Sequence, residues 1–269
     1  MTPSSPAQPL EQTLFRLRVR YAKRGRLAYL GHLEVIHTID RAIRRAGLPF
    51  AVTQGFSPHM RVGFSSALPV GTSSSCEWFD LFLTELVPAP EALERLKRAT
   101  AADLAPDQAG YVEVRRLALT AEIGRIGYRV ELLAAPGVAA DAPAISSALE
   151  EVRAAGAIPY RRGKKEKVLD LDRSLAAAAV AQAGAAVVLD LDTRADNDGS
   201  LRPEILIAAL DRSLRGSDEP IVSTGIQDLA AFERYRVERT FQGIEDDAGA
   251  LTDPLGAPGP TCGEVVIAS

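Results

Sequence analysis

The chain has 269 residues, 46% apolar and 25% charged, an ordinary globular composition long enough for one large or two small domains. No apolar run approaches the roughly 18 residues of a membrane-spanning helix, so an integral membrane protein is not expected. The net charge of −4 is unevenly spread: residues 14–64 hold ten Lys or Arg against only Glu34 and Asp40, leaving the remainder at −12.

Met1 to Gln12 is polar and carries Pro and Ser, with neither a basic start nor an apolar stretch. It reads as a disordered N-terminus (1–12), not a secretory signal, and the expected compartment is cytoplasmic. Leu14 to Tyr21 alternates apolar Phe15, Leu17 and Val19 with Arg16, Arg18 and Arg20, which predicts a strand with one core face and one arginine face. A helix is predicted from Gly31-His32 to about Ala46, stopped by Gly47 and Pro49. Its apolar stripe is Val35, Ile36, Ile39, Ala42, Ile43 and Ala46, with His37, Arg41 and Arg44 opposite and Arg45 beside them. Thr53 to Pro58 is punctuated as a loop, and strands follow at Met60 to Phe64 and Cys76 to Leu83. A helix from Pro90 to about Ala101 and a strand from Tyr111 to Leu117 complete a β-α-β-β-α-β order.

The second half gives a similar order. Strands are predicted at Tyr128 to Leu133, Ile158 to Arg162, Lys167 to Leu171, Val187 to Leu191 and Tyr235 to Phe241, with helices at Pro143 to Ala154 and Pro203 to Leu214. The two middle strands can form a hairpin around Arg161-Arg162-Gly163-Lys164-Lys165. The expected fold is therefore α+β, built of tandem ferredoxin-like (βαββαβ) domains with antiparallel sheets and helices on one face, spanning 13–118 and 125–241. The Gly-, Asp- and Pro-rich tail, 242–269, is expected to be disordered.

Two distant cysteines, Cys76 and Cys262, exclude a disulfide framework, a zinc ribbon and an iron–sulfur cluster. No phosphate-binding glycine loop, dinucleotide fingerprint, nucleophile elbow or zinc-protease motif occurs, so no cofactor and no metal are expected. All three histidines, His32, His37 and His59, fall in the basic segment. His32 sits at a helix start, where the dipole favours a neutral ring able to take a proton. His32 and His59 are thus candidate catalytic groups; the simpler alternative is that His32 bonds backbone and His59 positions its loop. Arg16, Arg18, Arg20, Arg41, Arg44, Arg45 and Arg61 are candidate phosphate ligands, provided they converge on one trough. The turn from Arg161 to Lys167 is a candidate second contact.

Tyr29-Leu30-Gly31-His32-Leu33-Glu34 is followed by Arg41-Ala42-Ile43-Arg44-Arg45-Ala46-Gly47-Leu48-Pro49, Gln54-Gly55-Phe56-Ser57-Pro58-His59-Met60-Arg61 and Ala67-Leu68-Pro69-Val70-Gly71. Together these resemble the radical SAM-linked (radical SAM-associated) protein family, a bacterial family of unknown function. The similarity is strongest over residues 14–84 and extends toward Phe241, with Leu169-Asp170-Leu171 and Arg202-Pro203-Glu204 as weaker echoes. Glu34 stands where the family more often has Asp, and Met60 where it often has Pro. The resemblance implies a partner, a separate radical SAM protein. This chain lacks the Cys-x3-Cys-x2-Cys that would hold the cluster.

Three functions fit these readings. The first is an accessory RNA-binding protein that presents tRNA or ribosomal RNA to a radical SAM modification enzyme, with the arginines on phosphates and the loop Gln54, Gly55, Phe56, Ser57, Pro58 beside them. The second is a metal-independent endoribonuclease using His32 or His59. The third is a protein–protein adaptor whose basic face docks on an acidic surface of the partner.

Overall fold

The computed structural model describes residues 13–196, 199–223, 227 and 229–259. In the first half, strand β1 (Phe15–Lys23) leads through a 3-10 turn (Gly25–Tyr29) into helix α1 (His32–Arg45). Strands β2 (Val62–Phe64) and β3 (Ser73–Leu83), helix α2 (Ala89–Ala99) and strand β4 (Pro106–Val112) follow. A short helix α3 (Leu119–Glu122) bridges to β5 (Arg125–Ala134) and helix α4 (Ala142–Ala154). A hairpin of β6 (Ala157–Arg162) and β7 (Lys165–Asp170) precedes helix α5 (Leu171–Ser174), β8 (Leu175–Ala183) and β9 (Ala186–Asp196). Then come β10 (Gly199–Ser200), helix α6 (Pro203–Arg215), β11 (Ile221–Val222), the long β12 (Phe232–Glu245) and β13 (Leu251–Thr252).

The molecule is mixed α+β, with one large and mostly antiparallel sheet. Its main path runs β10-β9-β5-β12-β3-β1-β4, with β8 paired to β9, β2 to β3 and β13 to β12. Taking β1 to β4 as one set and β5, β8, β9 and β12 as another, each set lies in the spatial order second-third-first-fourth. A parallel seam joins them, where Glu238 and Arg239 of β12 pair with Ser73 and Ser74 of β3. The β6–β7 hairpin stands apart with β11 as a three-stranded sheet.

Two apolar cores follow from the periodicities. Leu17, Val19, Phe79 and Leu81 alternate along β1 and β3 and receive Val35, Ile39 and Ile43 of α1 and Leu96 of α2. The second core packs Val130, Leu132, Leu189 and Leu191 beneath Ile145 and Leu149 of α4 and Ile205 to Leu210 of α6. Trp78, although on β3, belongs to this second core.

Three expectations change. The last strand of the first half is Pro106–Val112, not Tyr111 to Leu117, because Pro106 to Val112 supplies the residues that pair with Tyr21 to Arg16. Strand β8 lacks the alternating pattern that would announce it, since alanines fill both of its faces. The tail is ordered well past residue 242: β12 runs to Glu245, β13 folds back on it, and Asp253 accepts backbone hydrogen bonds from Leu255 and Ala257. Residues 1–12 and 260–269, where disorder was also expected, lie outside the described residues, as does Cys262. Among the described residues no helix is long and apolar enough to cross a membrane.

Candidate functional site

The arginines of the first half do not form one trough. Alternation along β1 sends Leu17 and Val19 toward α1 and α2, and therefore sends Arg16 and Arg18 to the opposite side of the sheet. That side is covered as well. Arg16 is 4% exposed and Arg18 fully buried. Arg16 binds Asp80 at 2.6 Å and donates to the carbonyls of Arg116 and Leu117. Arg18 bonds Asp80 at 2.8 Å, Glu122 at 2.8 Å and the Pro254 carbonyl at 2.9 Å. Burial works against the charge of Arg18, but the hydrogen bonds and charges of Asp80 and Glu122 outweigh it and hold the guanidinium above its ordinary pKa. Both residues are structural, which corrects their reading as phosphate ligands.

The other five remain at the surface, dispersed. Arg20 forks onto Asp107 and lies over Trp78. Arg44 pairs with Asp40 and covers the Phe50 ring, while Arg41 reaches Thr38 and Arg45 the Ala99 carbonyl. Arg61 stacks on Phe82 at 4.2 Å. The helix arginines stand on the α1 side and Arg16 and Arg18 on the other, so the thickness of the sheet separates them. His32 leans edge-on against Phe64, and His59 closes the base of the exposed Gln54 to Pro58 loop through backbone bonds to Thr53. Among the described residues neither imidazole has a hydrogen bond or ion pair, and no contact brings the two together.

A different constellation forms where the halves meet. A cleft of about 600 Å³ lies between the loop Ala67 to Val70 and the segment Ser200 to Glu204 that opens α6. Arg162 and Ser223 close one side, and Tyr128 and Arg239 lie at the bottom. Arg239 is 2% exposed and holds the loop in place: it donates to the carbonyls of Ser66 at 3.0 Å and Ala67 at 3.5 Å while pairing with Glu77 at 3.1 Å. It also reaches the Tyr128 hydroxyl at 3.4 Å. Burial disfavours its charge, yet the neighbouring Glu77 keeps its pKa above the ordinary value. The far end of the loop is fixed by Gly71, whose positive φ of 84° lets its N–H meet the Ala28 carbonyl with the Tyr29 ring alongside.

Glu204 is 5% exposed at the second position of α6. Among the described residues its side-chain partner is Arg202, at 3.5 Å. Burial pushes its carboxyl above the usual range, opposed by its own backbone N–H and by Arg202 and Arg162. Through Arg162, Ser200 and Arg202 the cleft continues into a second concavity of about 320 Å³, lined also by Lys167, Arg173 and Arg194, with Asp170 and Asp196 among them. On the hairpin, Arg161, Arg162, Lys164, Lys165 and Lys167 are all exposed, and none of their side chains makes a hydrogen bond or ion pair with another described residue. The sequence did signal this hairpin and the Arg202-Pro203-Glu204 echo. Nothing in it signalled Tyr128, Arg239 or Glu77, which read as ordinary strand residues.

No curated protein matches the chain in sequence. Among solved structures it is similar at 12% identity to the "Crystal Structure of a Cbf5-Nop10-Gar1 Complex", with a TM-score of 0.46 over 86% of this chain and 50% of the other. The chain thus spans half the length of that structure. It also matches the "Crystal Structure of an Unknown Protein from Galdieria sulphuraria" at 12% identity, with a TM-score of 0.22 over 85% of this chain and 100% of the other. A family profile described as "Uncharacterized protein conserved in bacteria (DUF2344)" covers residues 16–203, which hold both the loop and the Arg202-Pro203 edge of the cleft, and the chain belongs to that family.

Proposed function

We propose that this protein binds RNA through the β6–β7 hairpin and the adjoining cleft, and serves as an accessory to a radical SAM enzyme in RNA modification or processing. The observation that carries the RNA reading is the convergence of Arg162, Lys167, Arg173, Arg194 and Arg202 on one concavity. Beside it the hairpin offers further exposed cations, Arg161, Lys164 and Lys165, whose side chains make no ion pair with another described residue. On a chain of net charge −4, a local excess of positive charge favours a polyanion. The partner rests on the resemblance of the Tyr29 to Gly71 motifs. The shared strand order of the two halves supports their reading as tandem ferredoxin-like units, a scaffold that offers one sheet face and its connecting loops to a ligand.

Fluorescence anisotropy with a labelled single-stranded RNA tests the binding. Affinity is expected to fall more than about tenfold between 50 and 200 mM salt, as release of counterions from several phosphates requires. Replacing Lys164 and Lys165 together by Glu is expected to abolish binding and to leave the fold intact. Affinity indifferent to salt and to that double substitution overturns the reading.

The adaptor alternative has an observation of its own. Tyr29 and Leu33, within the strongest motif, are 65% and 69% exposed, and Val70 is 44% exposed. Co-purification with the radical SAM protein that survives nuclease but is lost in Leu33→Glu would favour docking of protein on protein.

A further inference from the structure

We propose that the cleft between the Ala67 to Val70 loop and the start of α6 seats one unstacked guanine nucleotide, with its phosphate on Arg162 and Arg202 and its base edge on Glu204. The inference rests on the RNA reading and narrows it to a base. A volume of about 600 Å³ suits a ligand of nucleotide size. The two walls also differ in chemistry. Leu68, Pro69 and Val70 offer an apolar surface for a flat ring, and Arg162 and Arg202 bring positive charge to the lining of the same cleft.

Glu204 supplies the discrimination. A carboxylate at 5% exposure whose side-chain partner among the described residues is Arg202, 3.5 Å away, has lone pairs to offer a ligand. Guanine presents two adjacent N–H donors on its Watson–Crick edge, which a carboxylate can take together. Adenine, cytosine and uracil each present a mixed donor and acceptor edge that sets an acceptor against the carboxylate. On the floor, both terminal nitrogens of Arg239 are engaged by Glu77, Tyr128 and the loop carbonyls, so it braces the seat and leaves the phosphate to the rim.

Calorimetric titration of the full chain with the four nucleoside 5′-monophosphates at millimolar concentration tests the seat. GMP is expected to bind at least about tenfold more tightly than the other three. Glu204→Gln should erase that preference while retaining phosphate-dependent binding, and Arg162→Ala, on the exposed hairpin where folding is not at risk, should weaken all four. Equal binding of the four nucleotides, no binding of any, or a preference untouched by Glu204→Gln overturns the proposal. RNA binding without GMP binding removes the seat alone. GMP binding that persists after the Lys164 and Lys165 double substitution has abolished RNA binding separates the seat from the hairpin's contribution. Loss of both ligands in the wild-type chain removes both readings.

Discussion

Lys23 carries a cation into the protein interior. It is 2% exposed and its ammonium has no hydrogen-bond partner among the described residues, with the charge of Glu77 its main electrostatic relief. Burial therefore pulls its pKa below 10.5, with Glu77 opposing and Arg239 adding to the shift. Below the lowered native value the buried charge exacts its full cost, and stability rises with pH from there toward 10.5, because the unfolded chain then holds more protons. Lys23→Met fills a similar volume without charge, and Glu77 keeps Arg239 and Gln242. The variant is expected to be more stable at pH 7 by about 1–3 kcal/mol in urea titrations, with the gain shrinking as pH rises. A loss of stability at pH 7 would mean that the ammonium is satisfied in solution. Cys76 is inert for a related reason: burial, aided by the charge of Glu77, pushes its thiol to about 12.

At the scale of elements, the β6–β7 hairpin turns in two residues, Gly163 and Lys164, between the paired Arg162 and Lys165. Gly163 has φ of 60°, the sign that a tight turn compatible with strand twist demands at its first central position. Gly163→Ala is expected to cost the hairpin about 1 kcal/mol, read as faster amide exchange across β6 and β7 and faster tryptic cleavage after Lys164 and Lys165. RNA affinity should fall with it while α1 and β1 keep their protection. Helix α1 was legible: its apolar spacing placed it from His32 to about Ala46, it runs His32–Arg45, and of the expected stripe Val35, Ile39, Ala42 and Ile43 are buried while Ile36 is only partly so. The hairpin was legible from Arg161-Arg162-Gly163-Lys164-Lys165. Strand β8 was not, because a run of alanines satisfies either period equally well.

At the scale of the whole molecule, the halves are joined by more than two backbone pairs. Arg239 and Gln242 of β12 bind Glu77 and the Cys76 carbonyl of β3, and Trp78 of β3 is buried among residues of the second core. Trp78 is the only tryptophan, so its fluorescence reports the seam. Its unfolding transition in urea should coincide with that of far-UV circular dichroism, as one cooperative unit requires. Two separated transitions would show that the halves unfold independently. The same seam brings residues 67–70, 162, 202–204 and 239 to one cleft.

The sequence by itself determined the periodic elements, the mixed α+β class and the concentration of positive charge, since each is written in neighbouring residues. Only the tertiary structure decided what that charge faces. A period of two along β1 states that Arg16 and Arg18 share a side; it cannot state that residues 116–122 and 254 cover that side and turn both arginines into internal ties. In the same way the cleft draws on residues more than a hundred positions apart, and its chemistry exists only once β12 has been laid beside β3.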